Sequence, residues 1–136
     1  MRTVGVIAEY DPFHLGHAYH LQQARQRTQA DWVLCVMSGC FTQRGQGALL
    51  SPAQRARMAL ESGADVVLEL PVPWAVREAE HFALGGISIL HRLGCITHVA
   101  FGAETDDLPA LSRCAALLEQ PSPSLDAAVR ERLAQG

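Results

Sequence analysis

Lysine is absent: all 11 basic residues of the 136-residue chain are arginine. Every cationic side-chain contact therefore falls to a guanidinium, which favours bidentate binding of phosphate or carboxylate. A compositional bias of the source genome accounts for the absence equally well. Excess positive charge is missing too, and a formal net charge of −3 gives no reason to expect the whole surface to bind nucleic acid. No apolar run approaches the roughly 20 residues that a membrane-spanning helix requires. The apolar opening of the chain turns polar at Glu9, too early for a signal-peptide core, so a cytoplasmic protein with no membrane partner is expected. The four cysteines, Cys35, Cys40, Cys95 and Cys114, contain no C-x-x-C pair. Reduced thiols are expected, with Cys35 a small core residue inside an apolar run. Internal repeats and low-complexity segments are also lacking. What the chain does have is apolar material, 49% against 18% charged, which excludes disorder and suits a single globular domain.

Its organisation is a regular alternation. Residues 3–8, 32–37, 66–70 and 96–101 are short β-branched or apolar runs flanked by polar or turn residues, spaced as successive βα units. Near-continuous apolar strands suit a parallel sheet covered on both faces. Between them, residues 14–29 form an amphipathic helix with Leu21 and Ala24 on its dry side. Ser51-Pro52-Ala53-Gln54 predicts a second helix through a capping box with proline at its first position, ending near Gly63. A third is predicted over 78–93, stopping at Gly94, with Gly85-Gly86 weakening its middle. Asp106-Asp107 introduces a fourth, to residue 119. Pro121-Ser122-Pro123-Ser124 breaks the chain before a last helix over 125–135, whose Leu125, Ala128, Val129 and Leu133 lie near one face and could dock on a further domain or partner. The pattern predicts an α/β fold: a Rossmann-like, doubly wound parallel sheet, whose ligands bind beyond the carboxyl ends of the strands. The loops at that end are 9–16, 38–50, 71–77 and 102–107.

The first of these loops is the richest. Glu9-Tyr10-Asp11-Pro12-Phe13-His14-Leu15-Gly16-His17 leaves the first strand and opens the first helix. Backbone N–H groups at a helix start attract anions, and Gly16 lets the backbone approach a phosphate. His14 and His17, three apart, can place two imidazoles on one side, both aimed at charge developing on a phosphate. His20 extends that face by one turn. Two histidines at this spacing could also bind a metal, but no third ligand is tied to them by spacing. In the second loop Arg44 could meet a phosphate or RNA, or remain a solvated side chain. Glu69 and Glu104 have structural and site roles equally open. His81, His91 and His98 lack a motif, and Trp32 and Trp74 are expected to pack rather than stack on bases.

The H-x-G-H signature at His14–His17 resembles that of nucleotidyltransferases, which transfer an adenylyl or cytidylyl group. The surrounding segments narrow it: Gly5-Val6-Ile7-Ala8-Glu9-Tyr10-Asp11-Pro12-Phe13-His14, Met37-Ser38-Gly39, Phe41-Thr42-Gln43-Arg44-Gly45, Ala56-Arg57-Met58-Ala59-Leu60, Leu68-Glu69-Leu70-Pro71 and Phe101-Gly102-Ala103-Glu104. In this order, from Arg2 to Leu118, they are similar to the first portion of the bacterial tRNA(Met) cytidine acetate ligase family. The resemblance implies a nucleotidyltransferase-type sheet and an enzyme that activates acetate with ATP as acetyl-adenylate. The acetyl group would then pass to N4 of the wobble cytidine of elongator tRNA(Met).

It also implies an ATP-binding stretch of Ile7, Ala8, Glu9, Tyr10, Asp11, Pro12, Phe13, His14, Leu15, Gly16, His17, Ala18, Tyr19 and His20, with a further contact at Gly102. His14 and His17 would be the catalytic pair, stabilising charge at the α-phosphate. Mg²⁺ is expected with ATP because it neutralises the phosphates. Three residues depart from the family pattern: Asp11 and Leu15 stand where asparagine is usual, and Pro52 where lysine is expected. Family members are longer, and their asparagine and arginine contacts to ATP lie beyond Gly136, as would the tRNA-binding region. On this reading residues 1–120 are the ATP-binding domain, and 121–136 a Pro/Ser linker with a short helical tail, cut short. The alternatives are a small-molecule adenylyl- or cytidylyltransferase with the same histidines, and a nucleotide-binding fragment without turnover.

Overall fold

A computed structural model describes residues 1–120 and 122–135. Four β-branched, apolar segments form the strands β1 (Thr3–Ala8), β2 (Trp32–Ser38), β3 (Val66–Leu70) and β4 (His98–Ala100). They make one parallel sheet in the order β3-β2-β1-β4. The order runs outward from β1 in both directions, which is the doubly wound arrangement expected from the alternating pattern. The last strand is shorter than the apolar run 96–101 predicts. It pairs with β1 alone, over three residues, and Thr97 just before it is tied to Thr3 by both its N–H and its hydroxyl.

Strand alternation sends successive side chains to opposite faces, and each face has its own core. On one side Val4 and Val6 of β1 join Val33, Cys35 and Met37 of β2. They are covered by Leu21 and Ala24 of α1 (Leu15–Thr28) and by Ala59 of α2 (Pro52–Glu61). On the other side Leu34, Val36 and Leu70 pack with Ala75 of α3 (Val72–Ala75) and Leu90 of α4 (Ala79–Arg92). The α3 turn falls in a segment predicted as loop. Pro71 stands before it and Pro73 within its first turn, where the missing N–H costs nothing.

The glycine pair of α4 has a tertiary reason. A Cβ at Gly86 would lie 2.6 Å from the Ile7 side chain, and one at Gly85 would lie 2.7 Å from Trp74. At the matching place on β1, a Cβ at Gly5 would strike Leu90. Helix and strand interlock through these absences, so the helix runs unbroken where propensity predicts weakness.

Two units divide the chain, Met1–Gly102 and Ala103–Gly136. The second holds α5 (Leu108–Glu119), capped by Asp107, and α6 (Pro123–Ala134), capped by Ser122; neither helix buries a residue. The sequence places a break over 121–124 and the last helix from Leu125. In the structure Ser122 accepts the N–H of Leu125 and Pro123 begins the helix, because proline is tolerated at the first helical position. Pro121 lies outside the described residues. No described helix is long and apolar enough to cross a membrane.

Candidate active site at the start of the first helix

Where β1 ends, its two neighbours in the sheet diverge: β2 was entered by a crossover on one side and β4 by a crossover on the other. This switch point is where an open α/β sheet leaves a crevice. The H-x-G-H residues occupy it. His14 is extended, with φ −142° and ψ 174°, and caps α1. The Gly16 N–H donates to His14 Nδ1 at 3.1 Å, and the His14 N–H donates to His17 Nδ1 at 3.2 Å. The two rings stack, with centroids 3.6 Å apart and planes inclined by 21°.

These bonds decide the tautomers. A backbone N–H can only donate, so both Nδ1 atoms must accept, and each neutral ring carries its proton on Nε2. The result is a pair of neighbouring N–H donors held by the helix start itself. Gly16 makes this possible in a way its spacing does not reveal. A Cβ there would lie 2.9 Å from Cε1 of His14, so the missing side chain makes room for the imidazole. Burial, with His14 and His20 alongside, holds the His17 imidazole below the ordinary histidine value. The neutral, donating form is thus favoured near neutral pH.

The rest of the predicted stretch divides into support and surface. Tyr10 is buried, at a positive φ of 55°. Its ring meets those of Phe13 and His17 edge-on, with centroids 4.9 Å away in each case. Its hydroxyl reaches Cys35 Sγ at 3.4 Å. The Tyr10 side chain is therefore a floor beneath His17, and the thiol it touches is pushed up to about 11 by burial. Ile7 and Ala8 pack against the two cores. Pro12, His14, Leu15, Gly16 and Tyr19 are exposed, while Ala18 is half-buried. His20 Nε2 is buried with no hydrogen-bond partner among the described residues, and burial lowers the pKa of its ring. Gly102 is exposed, two residues past Ala100, which lies opposite Val6, so it leaves the sheet at the same end as the histidine loop.

The carboxylates have partners that spacing does not disclose. Glu9 Oε1 accepts the Gln43 N–H and Asp11 Oδ1 accepts the Leu49 N–H, each at 2.7 Å. Both thus hold the 39–50 segment, which turns back on itself through the Phe41–Gly47 bridge with Gly45 at φ 74°. Arg44 is exposed on that turn. Glu69 packs against Gly39, where a Cβ would lie 2.2 Å from its Oε1, so the missing side chain makes room for the carboxylate. Arg55, wholly buried on α2, holds the carbonyls of Glu9, Gly39 and Leu50. Sequence reasoning misses it, because an arginine on an amphipathic helix ordinarily reads as wet face. Among the described residues, no group of three or more His, Cys, Asp or Glu side chains could hold a metal ion.

The geometry offers neighbouring N–H donors that an anion could meet. The chain is 41% identical over 136 residues to the tRNA(Met) cytidine acetate ligase of Fervidobacterium nodosum, covering 100% of this chain and 32% of that protein. It is 52% identical over 120 residues to the protein of the same name from Syntrophotalea carbinolica, covering 88% of this chain and 28% of that one. It also resembles the crystal structure of Thermotoga maritima TmcAL bound with alpha-thio ATP, with a TM-score of 0.85 and 43% identity, over 100% of this chain and 33% of that chain. The chain spans about a third of the length of these relatives. The family description HIGH Nucleotidyl Transferase matches residues 1–136, and with the stacked histidines at the head of α1 it settles the assignment: the chain belongs to the HIGH nucleotidyl transferase family.

Proposed function

We propose that this chain carries the ATP-binding and adenylate-forming part of a cytoplasmic tRNA(Met) cytidine acetate ligase, with residues 1–120 as its nucleotide domain. The observation that carries the reading is the capped, stacked histidine pair, with both Nε2–H groups left as donors. ATP would occupy the stretch from Ile7 to His20, with Gly102 contributing from the end of β4. An acetate oxygen attacks the α-phosphorus, a P–O bond forms, and pyrophosphate leaves with the electrons of the broken bond. Acetate is a weak nucleophile, so the protein's task is to orient it and offset charge on the phosphate. His14 and His17 do the second by donating hydrogen bonds that need no proton transfer. In the following step N4 of the wobble cytidine attacks the acetyl carbon and AMP leaves. Mg²⁺ would arrive as the counter-ion of ATP, since the described side chains form no cluster for it.

The test is direct. The purified chain is incubated with ATP and labelled acetate, with and without elongator tRNA(Met), and acetyl-adenylate and acetylated RNA are separated. Acetyl-adenylate without tRNA is the expected product. ATP binding without any adenylate would identify a nucleotide-binding part only, and adenylyl transfer to a different small acceptor would replace acetate as the substrate.

A further inference from the structure

Two arginines clamp loops in this fold, and only one has its charge cancelled. Arg25 of α1 holds the carbonyls of Asp31 and Gly63, and its guanidinium lies 2.5 Å from the carboxylate of Asp65. Arg55 of α2 is 0% exposed. Its Nε donates to the Leu50 carbonyl at 3.1 Å, Nη1 donates to the Glu9 carbonyl and reaches Ser38 Oγ at 3.5 Å, and Nη2 donates to the Gly39 carbonyl. Every partner is neutral, and among the described residues no carboxylate lies within 4.0 Å of it. Carbonyl dipoles solvate a buried cation without neutralising it, and in a weakly polarisable interior its field carries further than in water.

The place of this charge matters. Its three carbonyl partners belong to the exit of β1, the exit of β2 and the residue just before the capping box of α2. The first of these leads directly into the histidine loop. That loop also carries two carboxylates, Glu9 and Asp11, an awkward pair for a site that is to hold a polyphosphate. We propose that Arg55 is a positioning residue for the anionic ligand of this site: it fixes the loop after β1 through the Glu9 carbonyl, and its uncancelled charge offsets the carboxylates of Glu9 and Asp11. The inference rests on the nucleotide reading above and assigns a residue that never needs to touch the ligand.

The experiment compares ATP with adenosine by calorimetry on the full 136-residue chain, since a lost fold weakens both ligands and a lost charge weakens chiefly the polyanion. Arg55→Gln is expected to reduce the ATP-to-adenosine affinity ratio by about tenfold. Arg55→Lys keeps the charge with fewer donors and is expected to hold the ratio within about threefold of the original chain. Equal losses for both ligands in Arg55→Gln, or a lysine variant that behaves like the glutamine one, would overturn the charge role. If Arg55→Gln does not fold, as circular dichroism would show, the lysine variant decides alone: a preserved ratio supports the proposal and a collapsed one refutes it. An original chain that binds adenosine as tightly as ATP also refutes it. One that binds neither refutes the nucleotide reading and removes the ground of this inference.

Discussion

α1 and α2 begin with the same backbone device built from different chemistry. At α2, Ser51 Oγ accepts the Gln54 N–H at 3.3 Å and Gln54 Oε1 accepts the Ser51 N–H at 3.1 Å. At α1 the counterparts are His14 and His17, three residues apart as Ser51 and Gln54 are: His14 Nδ1 accepts the Gly16 N–H and His17 Nδ1 accepts the His14 N–H. Serine and glutamine suffice to satisfy the free N–H groups of a helix start. A histidine pair adds nothing to that task that the cheaper pair lacks. What it adds is a second nitrogen on each ring, whose protonation is dictated by the capping bond. On the proposed function the first cap is also a site, and the second is only a cap.

The sharpest way to break this comparison is to exchange the chemistry. A chain carrying His14→Ser with His17→Gln gives α1 the cap that α2 already has. Adenylate formation is expected to fall by about a hundredfold or more, since donors to developing charge are lost. Thermal unfolding should show folding stability preserved to within about 1 kcal/mol, because the cap is replaced in kind. A variant that unfolds, or one that keeps its activity, would show that the two caps differ in some other way. The reciprocal change is smaller. Ser51→Ala removes the plain cap and is expected to cost about 1 kcal/mol of stability, read as a lowered denaturation midpoint, with adenylate formation unchanged.

The comparison also marks what could be read in advance. The α2 cap was legible because its residues meet within one turn, so Ser51, Pro52 and Gln54 specify it without help. The strands and their parallel pairing were legible from the spacing of apolar runs for a similar reason: each run is a local pattern repeated. The candidate site was read from the loop between the first strand and helix. Its inner workings were not. Gly16 admits the His14 ring, Gly86 admits Ile7, and Arg55 reaches carbonyls of segments that are distant along the chain. These are tertiary encounters, in which the informative feature is an absent side chain or a charge turned inward. Propensity read Gly85-Gly86 as a weakness, and packing overrode it; Arg55 drew no reading at all.

The central claim is that the α1 cap fixes both histidines as neutral Nε2–H donors. Long-range nitrogen–proton correlation spectra of the histidine-labelled chain near neutral pH test it most directly. The expected result is the Nε2–H tautomer at both His14 and His17, with His17 taking up its second proton below the ordinary histidine value of 6.5. A proton on Nδ1 of either ring, or rapid averaging between the two nitrogens, would contradict it.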